Sequence, residues 1–154
     1  MRKLSIVLLG CLLSIMILGG CGTSDETSAS SGDFVDGEYK VEFENFDSHG
    51  YKPQLEITIE NGEIARVKYD EVSKDGTLKS EDETYNKKMS EHSSTNPEKA
   101  FPELEDQLLS KQDTSIDTVS GATASSTTFK ALVEHALNKM VIEGTTTAKI
   151  QNLE

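Results

Sequence analysis

Residues 39–69 carry the pattern that most constrains the fold. Tyr39, Val41 and Phe43 alternate with Lys40, Glu42 and Glu44, and Leu55, Ile57 and Ile59 alternate with Glu56, Thr58 and Glu60. Period-two alternation of this kind marks strands with one buried and one wet face. Asn61-Gly62 follows directly. That pair suits a tight type I′ hairpin, whose two central residues both need positive φ. The return strand offers Ile64, Val67 and Tyr69. Ile64 is out of phase with the other two, which predicts a bulge near Ala65 or a longer loop. The three strands make an antiparallel meander.

Helical signals come after the strands. Ser80-Glu81-Asp82-Glu83 reads as a capping box, with Tyr85 and Met89 one turn apart behind it. Asn96-Pro97 reads as a cap followed by proline at the first helical position. Pro102 predicts a kink or a fresh start ahead of the stripe Leu104, Leu108 and Leu109. Phe129, Leu132, Val133, Ala136, Leu137, Met140 and Val141 recur at helical spacing and form an amphipathic helix to pack on the sheet. Gly144 closes that helix, and "TTTAKI" supplies a candidate edge strand. Met89 and Met140 are expected in the core, and His135, opposite the stripe, in solvent. The fold class is therefore α+β, a small antiparallel sheet packed against a few helices, in one domain over 34–154.

The chain begins differently. Arg2 and Lys3 precede an apolar run of about fifteen residues that ends at Leu18-Gly19-Gly20-Cys21. The run is too short for a membrane span and has the build of a cleaved export signal over 1–20. L-G-G-C resembles the lipobox of bacterial lipoproteins. That resemblance implies acyl chains such as palmitate at Cys21 and a protein held on the extracytoplasmic face of the cell membrane. The alternative is an ordinary secretory signal with a chance cysteine. Residues 21–33 then comprise the lipidated cysteine and a Ser/Thr/Gly/Asp-rich linker, with a root-mean-square reach of roughly 20 Å. Cys11 leaves with the signal, so the folded part has no thiol for a disulfide, a metal site or a nucleophile. His49, His92 and His135 have no metal-ligand spacing, and no metal is expected. Loss of Arg2 and Lys3 takes the formal charge from −12 to −14. A body so acidic repels nucleic acid and anionic lipid.

The strip "DTVSGATASS", Asp117 to Ser126, is nearly without apolar surface and lies just ahead of the last helix, whose first turn is expected near Ser126 to Phe129. Helix N-termini offer unpaired N–H groups and partial positive charge, which favour a phosphate. Gly121 and Ala122 allow close approach, and Ser120, Ser125 and Ser126 supply hydroxyls. By this physics the strip is either a phosphate site or a polar loop capped by Ser125 or Ser126.

The order D-T-V-S-G-A-T resembles the flavinylation motif D-x-x-[S/T]-G-A-T of the FMN-binding domain family. That family includes flavin-carrying components of the sodium-translocating NADH:quinone reductase and of the Rnf complex. Two strands, "NGEI", a third strand, a helical segment, the SGAT loop and a closing helix are also similar in order to that whole domain, over about Phe34 to Lys149. "FDSHGY", "KDGTLKS" and "LLSKQDTSIDTVSGAT" look like the flavin domains of Gram-positive pheromone lipoproteins, which serve extracellular electron transfer. The resemblance implies FMN joined as a phosphoester to Thr123 by a separate Mg²⁺-dependent flavin transferase that uses FAD. Asp117, Ser120, Gly121 and Ala122 would form the recognition set, with Ser125 and Ser126 as supporting donors. His49, Tyr51 and Tyr85 are weaker candidates for ring contacts. The implied function is an anchored flavoprotein, expected as a monomer, that relays electrons from a membrane donor such as a quinone-linked system to surface or extracellular acceptors. No catalytic set of its own is visible, so it reads as an electron carrier rather than a self-contained catalyst. Two alternatives stay open: a lipoprotein that is never flavinylated and acts as a binding module, or a precursor whose signal tail is released as a pheromone.

Overall fold

The computed structural model describes residues 34–153. The expected leader, Cys21 and the linker lie outside the described residues. Four strands form one sheet: β1 (Gly37–Phe43), β2 (Tyr51–Glu60), β3 (Glu63–Ser73) and β4 (Thr147–Ile150), in the order β3-β2-β1-β4. The first three are the expected antiparallel meander, and "TTTAKI" does contribute the edge strand. β4 pairs parallel to β1, because the chain returns through the helical layer, so the sheet is mixed. Asn61 and Gly62 take φ of 57° and 75°, as the hairpin requires. The register shifts opposite Thr58 and Ile59, leaving Ala65 as the bulged residue. That slip returns both Ile64 and Tyr69 to the buried face.

A layer of helices covers that face: α1 (Glu83–His92), α2 (Pro97–Lys111), α3 (Thr123–His135), a π-helical turn (Ala136–Met140) and the short α4 (Val141–Glu143). Tyr39, Val41 and Phe43 of β1 and Leu55, Ile57 and Ile59 of β2 join Phe101, Leu104, Leu108, Phe129, Leu132 and Val133 in one core. Tyr69 sits edge-on between Phe101 and Phe129, with ring centroids 4.7 and 5.0 Å away. Burial of each such side chain contributes about 1.5–3 kcal/mol. α2 also closes the outer edge of β3. Gln112 accepts from the Ile64 N–H at 2.7 Å and donates to its carbonyl at 3.0 Å, and Glu105 accepts from the Tyr69 N–H at 2.6 Å. A sheet edge left unpaired is a template for association, and these side chains cover it.

Several local expectations need correction. Asp82, not Ser80, caps α1, accepting from the Tyr85 N–H at 2.9 Å. Ser80 lies in a 3₁₀ turn (Lys79–Glu81), and both its hydroxyl and its N–H are taken by Asp70. Asn96 and Pro97 do start α2. Pro102 neither ends nor restarts that helix. Its exposed position leaves the Glu98 carbonyl, which lacks its N–H partner, open to water. Met140 is core, but Met89 is only half-buried. His135 is half-buried too, and burial, helped by Lys139, lowers its pKa.

Candidate functional site

α3 begins at Thr123, three residues earlier than the expected first turn. The entry is made by a tight turn in which the Ala122 N–H donates to the Val119 carbonyl at 3.0 Å. Gly121 stands third in that turn with φ +82°, the left-handed region that type II turns demand there. The loop between α1 and α2 grips the turn from outside. Ser93 donates to the Gly121 carbonyl at 2.9 Å and Ser94 to the Ser120 carbonyl at 3.1 Å. A Cβ at Gly121 would stand 2.5 Å from the Ser94 hydroxyl and 2.6 Å from that of Ser93. Only glycine satisfies both the backbone angle and the space.

Ala122 is the N-cap and provides no side-chain cap. The Ser126 N–H reaches back to the Ala122 carbonyl at 2.9 Å, but among the described residues the N–H groups of Thr123, Ala124 and Ser125 have no partner. Three adjacent donors and the positive end of a thirteen-residue helix therefore converge on one point. The exposed Thr123 side chain stands there, and its hydroxyl has no hydrogen bond among the described residues. This arrangement fits a phosphate monoester.

The point opens into a cleft of about 240 Å³. Its walls include Phe43 of β1, His49 of the β1–β2 loop, Tyr85 and Met89 of α1, Pro97 of α2 and Leu153 of the tail. The tail is held there because Asn152 exchanges two hydrogen bonds with the Asn45 backbone, at 3.0 and 2.9 Å, which extends the β1–β4 pairing. A partly open, mainly apolar slot beside a phosphate-ready helix end fits a planar ring joined to a phosphate.

The sequence-predicted residues divide sharply. Gly121, Ala122, Thr123 and Ser125 line the cleft. Ser125 turns inward and donates to Glu71 at 2.8 Å. Ser126 is fully buried; its hydroxyl accepts from the Val119 N–H at 3.0 Å and donates to the Ala122 carbonyl at 2.8 Å. It braces the turn and does not face the cleft. Asp117 lies outside the cleft on the surface, 2.7 Å from the Lys111 ammonium, which holds its carboxyl below the usual range. Ser120 is likewise exposed. His49 and Tyr85 reach the cleft. Tyr51 stands behind, edge-on to Tyr85 at 5.7 Å. Its hydroxyl donates to Asp82 at 3.0 Å, and burial, with Asp82 next, pushes its pKa up to about 12.

Two further wall residues escaped the sequence reading. Glu71 and Lys79 form a buried ion pair, 3% and 6% exposed. Glu71 also accepts from the Tyr69 hydroxyl at 2.9 Å. Burial, followed by the charge of Glu71, drives the Tyr69 pKa well above its ordinary value. Burial alone would lower the pKa of Lys79, but the adjacent carboxylate more than offsets this and holds it above the usual lysine value. A signal for Glu71 did exist, since it shares the inward phase of Val67 and Tyr69 on β3. Lys79 had none.

The sequence profile of the FMN-binding domain family matches residues 49–138, which include all of α3 and most of the cleft's walls, though not Phe43 or Leu153. The chain belongs to that family. A curated relative, the 15 kDa lipoprotein of Treponema pallidum, is 38% identical over 118 residues, covering 76% of this chain and 78% of its own. The crystal structure of the CPE2226 protein from Clostridium perfringens superimposes with a TM-score of 0.75 at 42% identity, covering 79% of this chain and 99% of that one. The α+β fold and the FMN-binding character read from the sequence both hold.

Proposed function

We propose that this chain is a membrane-anchored, extracytoplasmic flavoprotein with FMN joined covalently through its phosphate to Thr123, and that it relays electrons between a membrane donor and surface or extracellular acceptors. One observation carries the reading. In the motif D-T-V-S-G-A-T, Thr123 is the first residue of an uncapped helix, with its hydroxyl free at the rim of the cleft. The N–H groups of Thr123, Ala124 and Ser125 would hold the phosphate, while Tyr85, Met89 and Pro97 would face the ring and exclude part of the solvent. The flavin supplies one- and two-electron chemistry. A threonine hydroxyl is a weak nucleophile without a base. The transferase that donates FMN from FAD must therefore bring one, and the exposed Asp117 and Ser120 suit recognition by that enzyme better than contact with the ring. The lipoprotein name of the Treponema relative supports lipid attachment at Cys21. A covalent cofactor and a lipid anchor serve the same end, since neither the flavin nor the protein is lost by dilution outside the cell.

The test is co-expression of the full chain with an FAD-dependent flavin transferase. Flavin fluorescence is expected to stay with the protein band on a denaturing gel, to vanish in Thr123→Ala, and to leave the membrane fraction in Cys21→Ala. A wild-type band without fluorescence refutes the attachment.

A further inference from the structure

The Glu71–Lys79 pair lines the same cleft, and neither side chain is hydrogen-bonded to Thr123 among the described residues. Stability is a poor reason for it. Two charges withdrawn from water lose about what their attraction returns, and an apolar pair of equal volume would hold the wall as well or better. The pair is nevertheless elaborately kept. One oxygen of Glu71 is bound by the hydroxyls of Tyr69 and Ser125 at 2.9 and 2.8 Å, and the other takes the Lys79 ammonium. The ammonium lies between two aromatic faces, 4.8 Å from the Tyr51 centroid and 4.9 Å from that of Tyr85. Among the described residues, one of its three N–H donors is spent on an oxygen acceptor; the aromatic faces attract the charge without replacing such an acceptor. The cleft thus contains a fixed cation with donors to spare and a counter-charge anchored from behind.

We infer that Lys79 is the cation against which a flavin ring in this cleft is reduced, with Glu71 as its counterweight, so that the pair sets the reduction potential of the cofactor. The inference rests on the reading that the cleft takes FMN. A quinol-class donor gives up two electrons and two protons. The ring takes both electrons and one proton, the second proton goes to solvent, and the reduced ring keeps one negative charge. A cation close by in a medium of low dielectric favours that product over the neutral oxidised ring.

Opposite signs make the test decisive. The full chain, flavinylated by co-expression with the transferase, is titrated by spectroelectrochemistry as wild type, Lys79→Met, Lys79→Arg and Glu71→Gln. Lys79→Met is expected to weaken the reduction equilibrium at least tenfold, a potential about 30 mV lower for a two-electron couple. Lys79→Arg should keep the wild-type potential, and Glu71→Gln should move it upward. If Lys79→Met leaves Glu71 too costly to bury and does not accumulate, Glu71→Gln decides by its sign, because the amide keeps an acceptor for Tyr69 and Ser125. A merely structural pair would alter folding without opposed potentials. Reduction equilibria unchanged within threefold, or potential shifts of the same sign in Lys79→Met and Glu71→Gln, overturn the inference. A wild-type chain without covalent flavin sinks the Thr123 attachment alone if added FMN still binds and titrates with these shifts, and sinks both if it does not.

Discussion

Gly121→Ala is the sharpest test of how the turn before α3 is built. Holding a residue with a Cβ in the left-handed region costs about 1–2 kcal/mol, and Gly121 sits there at φ +82°. The new Cβ would lie 2.5 and 2.6 Å from the Ser94 and Ser93 hydroxyls. If those hydroxyls rotate away, they give up hydrogen bonds to the Ser120 and Gly121 carbonyls, worth about 0.5–1.5 kcal/mol each. The total is a loss of about 2–5 kcal/mol. Gly76 provides the control, since its φ is +89° but a Cβ there would meet nothing within 4 Å. Gly76→Ala should therefore lose only the backbone part, about 1–2 kcal/mol. The chain has no tryptophan, so urea unfolding is followed by far-UV circular dichroism. At a slope near 2 kcal/mol per molar, the Gly121→Ala midpoint should fall about 0.5–1.5 M below that of Gly76→Ala. Coincident midpoints would mean that the α1–α2 loop does not grip the turn, and the steric argument would fail.

Ser126→Ala orphans the buried Val119 N–H and should destabilise by about 1–3 kcal/mol in the same assay, whereas a change below half that range would mean water replaces the hydroxyl. Glu105 is held above the ordinary carboxylate range by burial first, with Asp70 and Asp106 adding to it. A raised native pKa gives stability that is full below the ordinary glutamate range and is lost as pH rises through the native value. Glu105→Gln keeps an acceptor for the Tyr69 N–H, so it should gain on wild type as pH climbs from 4 to 7, and parallel stability curves would refute this.

The local rules of the chain made much of the fold legible. The meander followed from period two, the turn at Asn61-Gly62 and the phase slip at Ala65, all decided by neighbours in sequence. Asn96 and Pro97 were legible for the same reason. Ser80 was not, because the residue that takes its hydroxyl, Asp70, stands ten positions away on β3. The π-helical turn at 136–140 leaves Ala136, Leu137 and Met140 buried, so the apolar stripe gave no sign of it. In the site, the motif marked the helix end, but the cleft walls come from elements far apart in sequence. Glu71 and Lys79 acquire meaning only when β3 and the 3₁₀ turn meet beside α3.

The crowding of hydroxyls ahead of α3 has a structural resolution. Five stand between Asp117 and Ser126, and on sequence grounds any could serve as a cap or a donor. Thr118 takes the Lys130 ammonium at 3.0 Å. Ser125 is tied to Glu71 and Ser126 to the turn itself. Ser120 is exposed outside the cleft, with its carbonyl held by Ser94. Thr123 alone combines a free hydroxyl, a place on the cleft and the open N–H groups of the helix start. A side-chain cap on those donors would stabilise the helix by about 1 kcal/mol, and serine, threonine and aspartate all stand within reach in the sequence. Ala122 occupies the N-cap instead. The helix begins with its strongest anion site open, and the turn that keeps it open is braced by Ser93, Ser94 and Ser126, none of which needs to touch the cofactor.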